Sequence, residues 1–192
     1  VDYFLVIDLP VHPTGMAASR SIPLWTPYDP EVFCDAGFAR DLPVVFLGTI
    51  MGERVGALRH LQAQGIPLLT AGGCQQRGWL AVANYAQCYQ RAQIALNLPF
   101  PEYQLKGHVF ESTLCGALLV DIEGGAASQF FEPGVDYVTY RTYQELSDVV
   151  WYYLEHADER NQIATRGCQK AHARYTARHF WEKVFDTIWP TS

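Results

Sequence analysis

Short apolar runs alternate with amphipathic stretches through most of the chain. The runs at residues 43–47, 66–70 and 93–98 are rich in branched aliphatic side chains, which predicts buried strands. Residues 53–64 place Val55, Leu58 and Leu61 at helical spacing, and a glycine follows that can end a helix. The chain therefore begins its main domain as strand, helix, strand.

The same patterning continues to the carboxyl terminus. It predicts an early strand at 3–7, an extended piece at 22–25, further strands at 117–120 and 136–140, and helices at 80–92, 127–131, 143–156, 158–175 and 177–188. Five prolines make 9–30 a loop or linker, and 71–78 is a glycine-rich loop. Strands that alternate with helices predict an α/β fold, a doubly wound parallel sheet of about five or six strands with a helical tail.

The stretch 106–121 carries the most specific chemistry. Glu111 lies near the start of a helix that runs into the strand at 117–120, and the acidic loop 121–125 follows. A loop at the carboxyl end of such a strand faces the ligand crevice, and a helix start there favours phosphate. A carboxylate beside it can accept hydrogen bonds from sugar or ribose hydroxyls. This predicts a site for a nucleotide carrying a sugar; the alternative is that Glu111 is a solvated first-turn residue.

Basic residues near this point are further candidates. Arg54 follows the first strand of the domain, and its guanidinium suits a diphosphate; the alternative is a surface helix residue. Lys106 precedes the Glu111 helix and either reaches the diphosphate or is solvated. His108 either hydrogen-bonds a phosphate or is a half-buried structural histidine.

Several small residues follow predicted strands, where they allow either a turn or a close backbone approach to a ligand. They are Gly48 with Thr49, the pair Gly72 and Gly73, and the pair Gly124 and Gly125. None forms a dinucleotide-binding glycine motif or a P-loop. Asp121 and Glu123 are either metal ligands or solvated loop carboxylates, and we expect no metal.

Composition narrows the classes of protein. The 192 residues, 49% of them apolar and 18% charged, fit one globular domain with an attached piece of another. A net charge of -6 argues against nucleic acid or anionic lipid as a partner. No run approaches the ~20 apolar residues of a membrane span. Five scattered cysteines without a close pair favour a reducing cytoplasm over disulfides or zinc. The first residue is Val and not Met, so the chain is either a piece of a longer protein or a processed one.

The order of short motifs resembles a known family over roughly residues 40–189. The motifs are Val45-Phe-Leu-Gly-Thr49, Arg54, Phe110-Glu111, Cys115-Gly116, Phe131-Glu-Pro-Gly134, Tyr140, Glu145-Leu146, Arg160 and Gly167. Their order and spacing are similar to the carboxyl-terminal half of GT-B glycosyltransferases. The most similar group is the spore-maturation-protein-B-like group of the "glycosyl transferases group 1" superfamily.

The resemblance implies a donor-binding domain. Enzymes of this type have two Rossmann-like domains, and the carboxyl-terminal one binds a nucleoside diphosphate sugar without a further cofactor. It implies that Glu111 holds the ribose and that Gly48, Thr49 and Arg54 face the diphosphate. It also implies a division into the end of an amino-terminal domain with a linker (1–39), a nucleotide-sugar-binding domain (40–175) and a helix that crosses back (176–192).

The acceptor site and any catalytic base would come from the other half, so the expected partners are an amino-terminal domain or a partner chain. Trp181, Phe185, Ile188 and Trp189 recur at helical spacing. They belong either to the core or to an inter-domain contact, and self-association follows if the second is true. The alternatives are a nucleotide-binding module without catalysis and a flavodoxin-like or receiver-like domain. For the last, the acidic triad and the phosphate loop are missing from the sequence.

Overall fold

The structure is a computed structural model that describes residues 4–7, 21–71, 82–98 and 105–189. Within these ranges the strands form two parallel sheets. One contains β1 (Phe4–Ile7) and β2 (Ser21–Leu24), paired from Phe4↔Ser21 to Ile7↔Leu24. The larger sheet has the order β4-β3-β5-β6-β7. Its strands are β3 (Leu42–Leu47), β4 (Leu68–Ala71), β5 (Ala92–Leu96), β6 (Leu118–Ile122) and β7 (Val138–Tyr140).

Helices cover both faces of the larger sheet. They are α1 (Glu53–Ala63), α2 (Val82–Arg91), α3 (His108–Leu114), α4 (Tyr143–Glu155), α5 (Ala157–Arg174) and α6 (Ala177–Ile188), with a 3-10 turn at Ala126–Gln129. None of the described helices combines the length and the apolar character needed to cross a membrane. The predicted α/β fold, a doubly wound parallel sheet with a helical tail, is confirmed.

Strand β3 shows how the sheet is buried on both sides. Val44 and Phe46 pack in one apolar cluster with α1 and α4, whereas Val45 and Leu47 pack in the other with α2 and α3. All four side chains are fully buried. Alternate residues of a strand point to opposite faces, so a parallel strand covered on both faces is apolar throughout.

The sheet reverses its direction of growth at β3. Val44 is opposite Leu68 of β4 on one side and Ile94 of β5 on the other. The chain passes from β3 outward to β4 and then returns across β3 to β5. In such sheets the carboxyl ends of the two strands that flank the reversal border the ligand crevice. The loops after β3 and β5 therefore mark where a ligand is expected.

The segment before β3 is anchored to the main domain. Leu24, Trp25 and Phe33 are buried in the cluster that contains α3 and α6. Trp25 makes ring contacts with Phe110, Phe130, Tyr175 and Phe180, at centroid distances of 6.2, 6.4, 5.2 and 6.1 Å. The residues predicted as a linker thus include part of the hydrophobic core.

The last helix has two unlike faces. Phe180 and Val184 are buried in the core, whereas Trp181, Phe185 and Trp189 are 47%, 51% and 66% exposed. These three rings form a continuous stack along the helix, with centroids 6.1 and 5.8 Å apart. These three residues are therefore not part of this core, whereas Ile188, the fourth residue of the predicted set, packs against it. By contrast, Val150 and Leu154 of α4 pack in the apolar cluster that covers the other face of the sheet.

Several boundaries differ from the prediction, among them the strand predicted at 66–70, which is β4 over Leu68–Ala71, and the strand predicted at 136–140, which is β7 over Val138–Tyr140. The short helix predicted at 127–131 is a 3-10 turn at Ala126–Gln129, and the strand predicted at 117–120 is β6, which continues to Ile122. The longer strand puts Asp121 inside the sheet, where it is fully buried. It was predicted as a loop residue because a charged side chain usually marks the end of an apolar run.

Candidate functional site

The candidate site lies where the β3–α1 turn meets the first turn of α3. Gly48 and Thr49 follow β3, and His108 and Glu111 lie on α3 directly across from them. A Cβ atom on Gly48 would lie 2.9 Å from His108 Nε2 and 3.5 Å from the Phe46 ring. Gly48 is therefore required for this close approach, and the structure brings four of the predicted site residues together.

Glu111 is buried, with an exposed fraction of 8%. The Tyr85 hydroxyl donates a hydrogen bond to its Oε2 at 3.1 Å, and His108 Nδ1 lies 3.5 Å from the same oxygen. The alternative of a solvated first-turn residue is wrong. A buried carboxylate is costly unless hydrogen-bonded, and here phenol groups supply the donors.

His108 is held from three sides. Its Nδ1 lies 3.3 Å from the hydroxyl oxygens of both Tyr85 and Tyr89, and its ring packs edge-on to Phe46 at 6.0 Å. Its Nε2 faces the Gly48 turn. The ring is thus oriented by Nδ1, and Nε2 is the nitrogen directed towards the Gly48 turn.

The tyrosines around Glu111 and His108 stay protonated. Burial, together with the charge of Glu111, raises the pKa values of Tyr28 and Tyr85, and burial raises that of Tyr89 well above its usual range. They act as hydrogen-bond donors at neutral pH. Sequence reasoning missed all three. The spacing of Tyr85 and Tyr89, four residues apart on α2, was the one available signal, since it places both on one helix face.

Arg54 has a different geometry from the one expected of a phosphate ligand. Its Nε donates to the carbonyl of Leu98 and its Nη1 to the carbonyl of Thr49 at 2.8 Å, while the guanidinium lies 5.4 Å from the centre of the Phe46 ring. Burial lowers its pKa. Two of its donors therefore join the loops that follow β3 and β5. The alternative of a surface helix residue is wrong, since Arg54 is 6% exposed.

Arg54 also lines a small cleft between α1 and α4. The cleft has a volume of about 110 Å³ and is bordered by Leu98, Ile122, Tyr140 and Tyr143. The Tyr143 hydroxyl donates to Glu53 Oε2 at 2.7 Å across its rim. This cleft and the Glu111 cluster lie on opposite faces of the sheet, at the same carboxyl edge.

The other predicted residues are placed as follows. Lys106 is half-buried just before α3 and is engaged with neighbouring groups. Gly72 and Gly73 lie outside the described residues. Gly124 adopts a φ of 73°, with open space around it. Gly125 packs against Asp121.

Asp121 anchors the turn that contains the second glycine pair. Its Oδ1 accepts hydrogen bonds from Asn97 Nδ2 at 3.0 Å and from the Ile122 amide at 2.8 Å. Its Oδ2 lies beneath the Gly125 turn, and within the described part of the chain Asn97 Oδ1 and the Tyr137 hydroxyl are buried polar atoms without a hydrogen bond. Asn97, which directly follows β5, was given no role from the sequence.

Asp121 and Glu123 do not converge on a metal position. Asp121 is fully buried, whereas the Glu123 side chain is 62% exposed and lies 3.9 Å from Arg141. Across the described residues, no group of three or more His, Cys, Asp or Glu side chains is arranged to hold a metal ion.

Comparison with known proteins gives one family and a set of similar structures. A family model described as "Glycosyl transferase-like" matches residues 42–186. No curated protein matches the chain significantly. The crystal structure of Anabaena HepE in complex with UDP-glucose is similar with a TM-score of 0.73 and 15% identity, covering 91% of this chain and 58% of that one.

Two further solved structures have a similar fold. Sucrose-phosphate synthase from Thermosynechococcus elongatus has a TM-score of 0.72 at 16% identity, over 90% of this chain and 53% of that one. The carboxyl-terminal domain of the glycosyl transferase group 1 family protein LpcC from Francisella tularensis has a TM-score of 0.62 at 11% identity, over 77% and 98%. The chain thus spans less than two thirds of HepE, and nearly all of an isolated carboxyl-terminal domain is covered.

Proposed function

Since the chain belongs to the glycosyl transferase-like family, we propose that it is the donor-binding half of a GT-B glycosyltransferase. In this proposal the domain binds a nucleoside diphosphate sugar, and the complete enzyme moves the sugar to an acceptor. HepE, a similar structure, was crystallised with UDP-glucose, and UDP is accordingly the first donor nucleotide to test. A cytoplasmic location belongs to the same proposal, supported by the free Cys34, Cys88, Cys115 and Cys168.

The observation that carries the proposal is the buried Glu111 beside His108 at the reversal point of the sheet. A carboxylate at 8% exposure with phenol donors on one side is pre-organised to accept hydrogen bonds from ribose hydroxyls on the other. His108 Nε2 and the Gly48–Thr49 turn face the adjoining space. Together they offer acceptors for a sugar and donors for a phosphate.

The expected contribution to catalysis is electrostatic. As the bond between the sugar and the diphosphate breaks, negative charge develops on the departing diphosphate. Hydrogen-bond donors already fixed in place stabilise this charge without reorganisation. The backbone amides of the Gly48–Thr49 turn, His108 and Lys106 are the proposed donors. Arg54 contributes indirectly, because its bonds to the Thr49 and Leu98 carbonyls hold the two loops at a fixed separation.

Calorimetric titration tests this proposal. The chain is titrated with UDP, GDP, dTDP and ADP, with and without magnesium. Saturable binding of one of them supports the donor-binding function and identifies the donor class. Failure of a folded chain to bind any of the four would contradict it.

A second candidate is a nucleotide-binding module without catalysis of its own. It is favoured by one observation, that the chain spans 58% of the UDP-glucose-bound HepE. Hydrolysis of the bound nucleotide-sugar by this chain alone would argue against the module. If the chain binds the nucleotide-sugar without turning it over, and turnover appears when an amino-terminal half is added, the glycosyltransferase proposal is supported.

A further inference from the structure

Tyr28 reaches the candidate site from the segment that precedes β3. Its hydroxyl oxygen and Glu111 Oε1 both border the space that a side chain on Gly107 would occupy. A Cβ atom there would overlap the Tyr28 hydroxyl and lie 3.3 Å from Oε1. Because Gly107 has no side chain, the tyrosine can approach the amino end of α3.

The Glu111 carboxylate is consequently bounded on two sides. Tyr85 donates to Oε2 at 3.1 Å, and the Tyr28 hydroxyl faces Oε1 across the Gly107 position, where it is placed to donate to the carboxylate from the opposite segment. Two directional donors fix the rotation of a carboxylate far better than one, since a single bond leaves the group free to turn about it. The remaining lone pairs then keep a fixed direction.

The backbone and the ring of Tyr28 are also held by contacts with neighbouring segments. Its carbonyl accepts a hydrogen bond from the amide of Ala177, the first residue of α6, at 2.9 Å. Its ring packs edge-on against Phe33 at 5.0 Å, and Trp25 lies in the core three residues earlier. The position of Tyr28 therefore depends on the linker segment and on the last helix.

We propose that Tyr28 is a positioning residue for donor recognition, holding the Glu111 carboxylate in the orientation that accepts the ribose hydroxyls. This inference rests on the proposed donor-binding function. It adds that selectivity for the ribose depends on a residue outside the α3 segment. Burial and the charge of Glu111 keep the Tyr28 phenol protonated, since both raise its pKa.

The test separates orientation from general stability. Wild type, Tyr28→Phe and Glu111→Gln are titrated calorimetrically with UDP, GDP and ADP, each beside its 2′,3′-dideoxy counterpart. Tyr152→Phe is the matched control, because Tyr152 is an exposed tyrosine whose hydroxyl donates to Glu159 at 2.8 Å far from the site. The readout is the ratio of the two dissociation constants, which a uniform loss of affinity does not change.

We expect wild type to prefer the ribose form by about 10- to 100-fold, the range for hydrogen bonds to a charged group. Tyr28→Phe should lower this preference by about fivefold or more, with affinity for the dideoxy form changed less than twofold. Gly107→Ala should do the same, because its added methyl group overlaps the Tyr28 hydroxyl and pushes the tyrosine ring away from Glu111. Tyr152→Phe should match wild type.

Two kinds of result would overturn the inference, and they can be told apart. An unchanged ratio in a folded Tyr28→Phe variant, or equal losses for both nucleotides, would show that Tyr28 does not position Glu111 for the ribose. If wild type binds none of the nucleotides, the donor-binding function itself is wrong and the inference falls with it.

Discussion

The carboxylate of Asp121 lies directly beneath the backbone of Gly125. A Cβ atom on Gly125 would lie 2.7 Å from Asp121 Oδ2 and 2.9 Å from the Ile122 carbonyl oxygen. The backbone of Gly125 has a φ of -63°, which any residue can adopt. The requirement for glycine is therefore a matter of space: the turn after β6 closes over a buried acid.

We predict that Gly125→Ala destabilises the domain through this overlap. The expected cost is about 1–3 kcal/mol, typical of an added methyl group in a packed position. Gly124→Ala provides the comparison, since Gly124 has a φ of 73° and nothing around it, so its cost of about 1–2 kcal/mol would come from backbone strain alone. Urea unfolding measures both. A Gly125→Ala variant as stable as wild type would mean that the Asp121 side chain can move aside at no cost in stability.

The stability of the domain should depend on pH through Asp121. Burial raises the pKa of Asp121 to about 7, although the Ile122 amide and Asn97 act in the opposite direction. In the unfolded chain the group titrates near its usual value of about 4. The folded state therefore retains the proton to higher pH. The free energy of unfolding should fall between about pH 4 and pH 7, by at most about 1.4 kcal/mol per pH unit, and level off above.

Asp121→Asn provides the control for this pH dependence, because its amide has a similar shape and does not titrate. The difference in unfolding free energy between wild type and variant should narrow or reverse as pH rises from 5 to 8 in urea titrations. Parallel curves would show that Asp121 does not change its protonation in this range.

Glu111→Gln should weaken nucleotide binding while leaving the domain folded. The amide is nearly isosteric, but it cannot accept from two phenols and a ribose as a carboxylate does, so we expect at least about tenfold lower affinity. Glu111→Ala should also reduce stability by about 1–3 kcal/mol, because Tyr28 and Tyr85 lose their buried acceptor. Calorimetry and circular dichroism measure the two effects.

Glu159→Gln is the appropriate control for Glu111→Gln, since Glu159 is an exposed carboxylate that also accepts from two tyrosines, Tyr152 and Tyr153. It should bind nucleotide like wild type. If Glu111→Gln also binds like wild type, Glu111 has no part in the site.

The exposed rings of α6 should make this chain self-associate. Trp181, Phe185 and Trp189 present a continuous aromatic surface, and such surfaces are usually covered in the functional protein. Replacing Trp181 and Phe185 by Ser should lower the weight-average mass in sedimentation experiments and reduce binding of a hydrophobic dye. A wild-type chain that is strictly monomeric and binds no dye would contradict the need for a covering partner.

The sequence predicted the elements well because their signals are local. The continuous apolar run of β3 and the helical spacing of apolar residues in α1 and α4 are contained within a few neighbouring residues, and so is the position of Glu111 near the start of α3. The surroundings of Glu111 could not be predicted in this way. Tyr28 and Tyr85 meet it from segments distant in the chain, and one glycine, Gly107, admits the first of them.

The role of Arg54 could not be predicted from the sequence for a related reason. Its acceptors are the backbone carbonyls of Thr49 and Leu98, and a carbonyl carries no residue-specific signal. Asp121 was placed in a loop because a charge ended the apolar run. Its burial depends on β6 continuing to Ile122, where pairing with β7 extends the strand.

The burial of Trp25 among four aromatic rings determines how the protein can be divided. A shortened chain beginning at residue 40 would remove Leu24, Trp25 and Phe33 from the core and expose the faces of Phe110, Tyr175 and Phe180. We therefore expect the segment from Leu24 onward to unfold together with the sheet, as one cooperative unit. A shortened chain that keeps this unit whole should therefore begin ahead of Leu24.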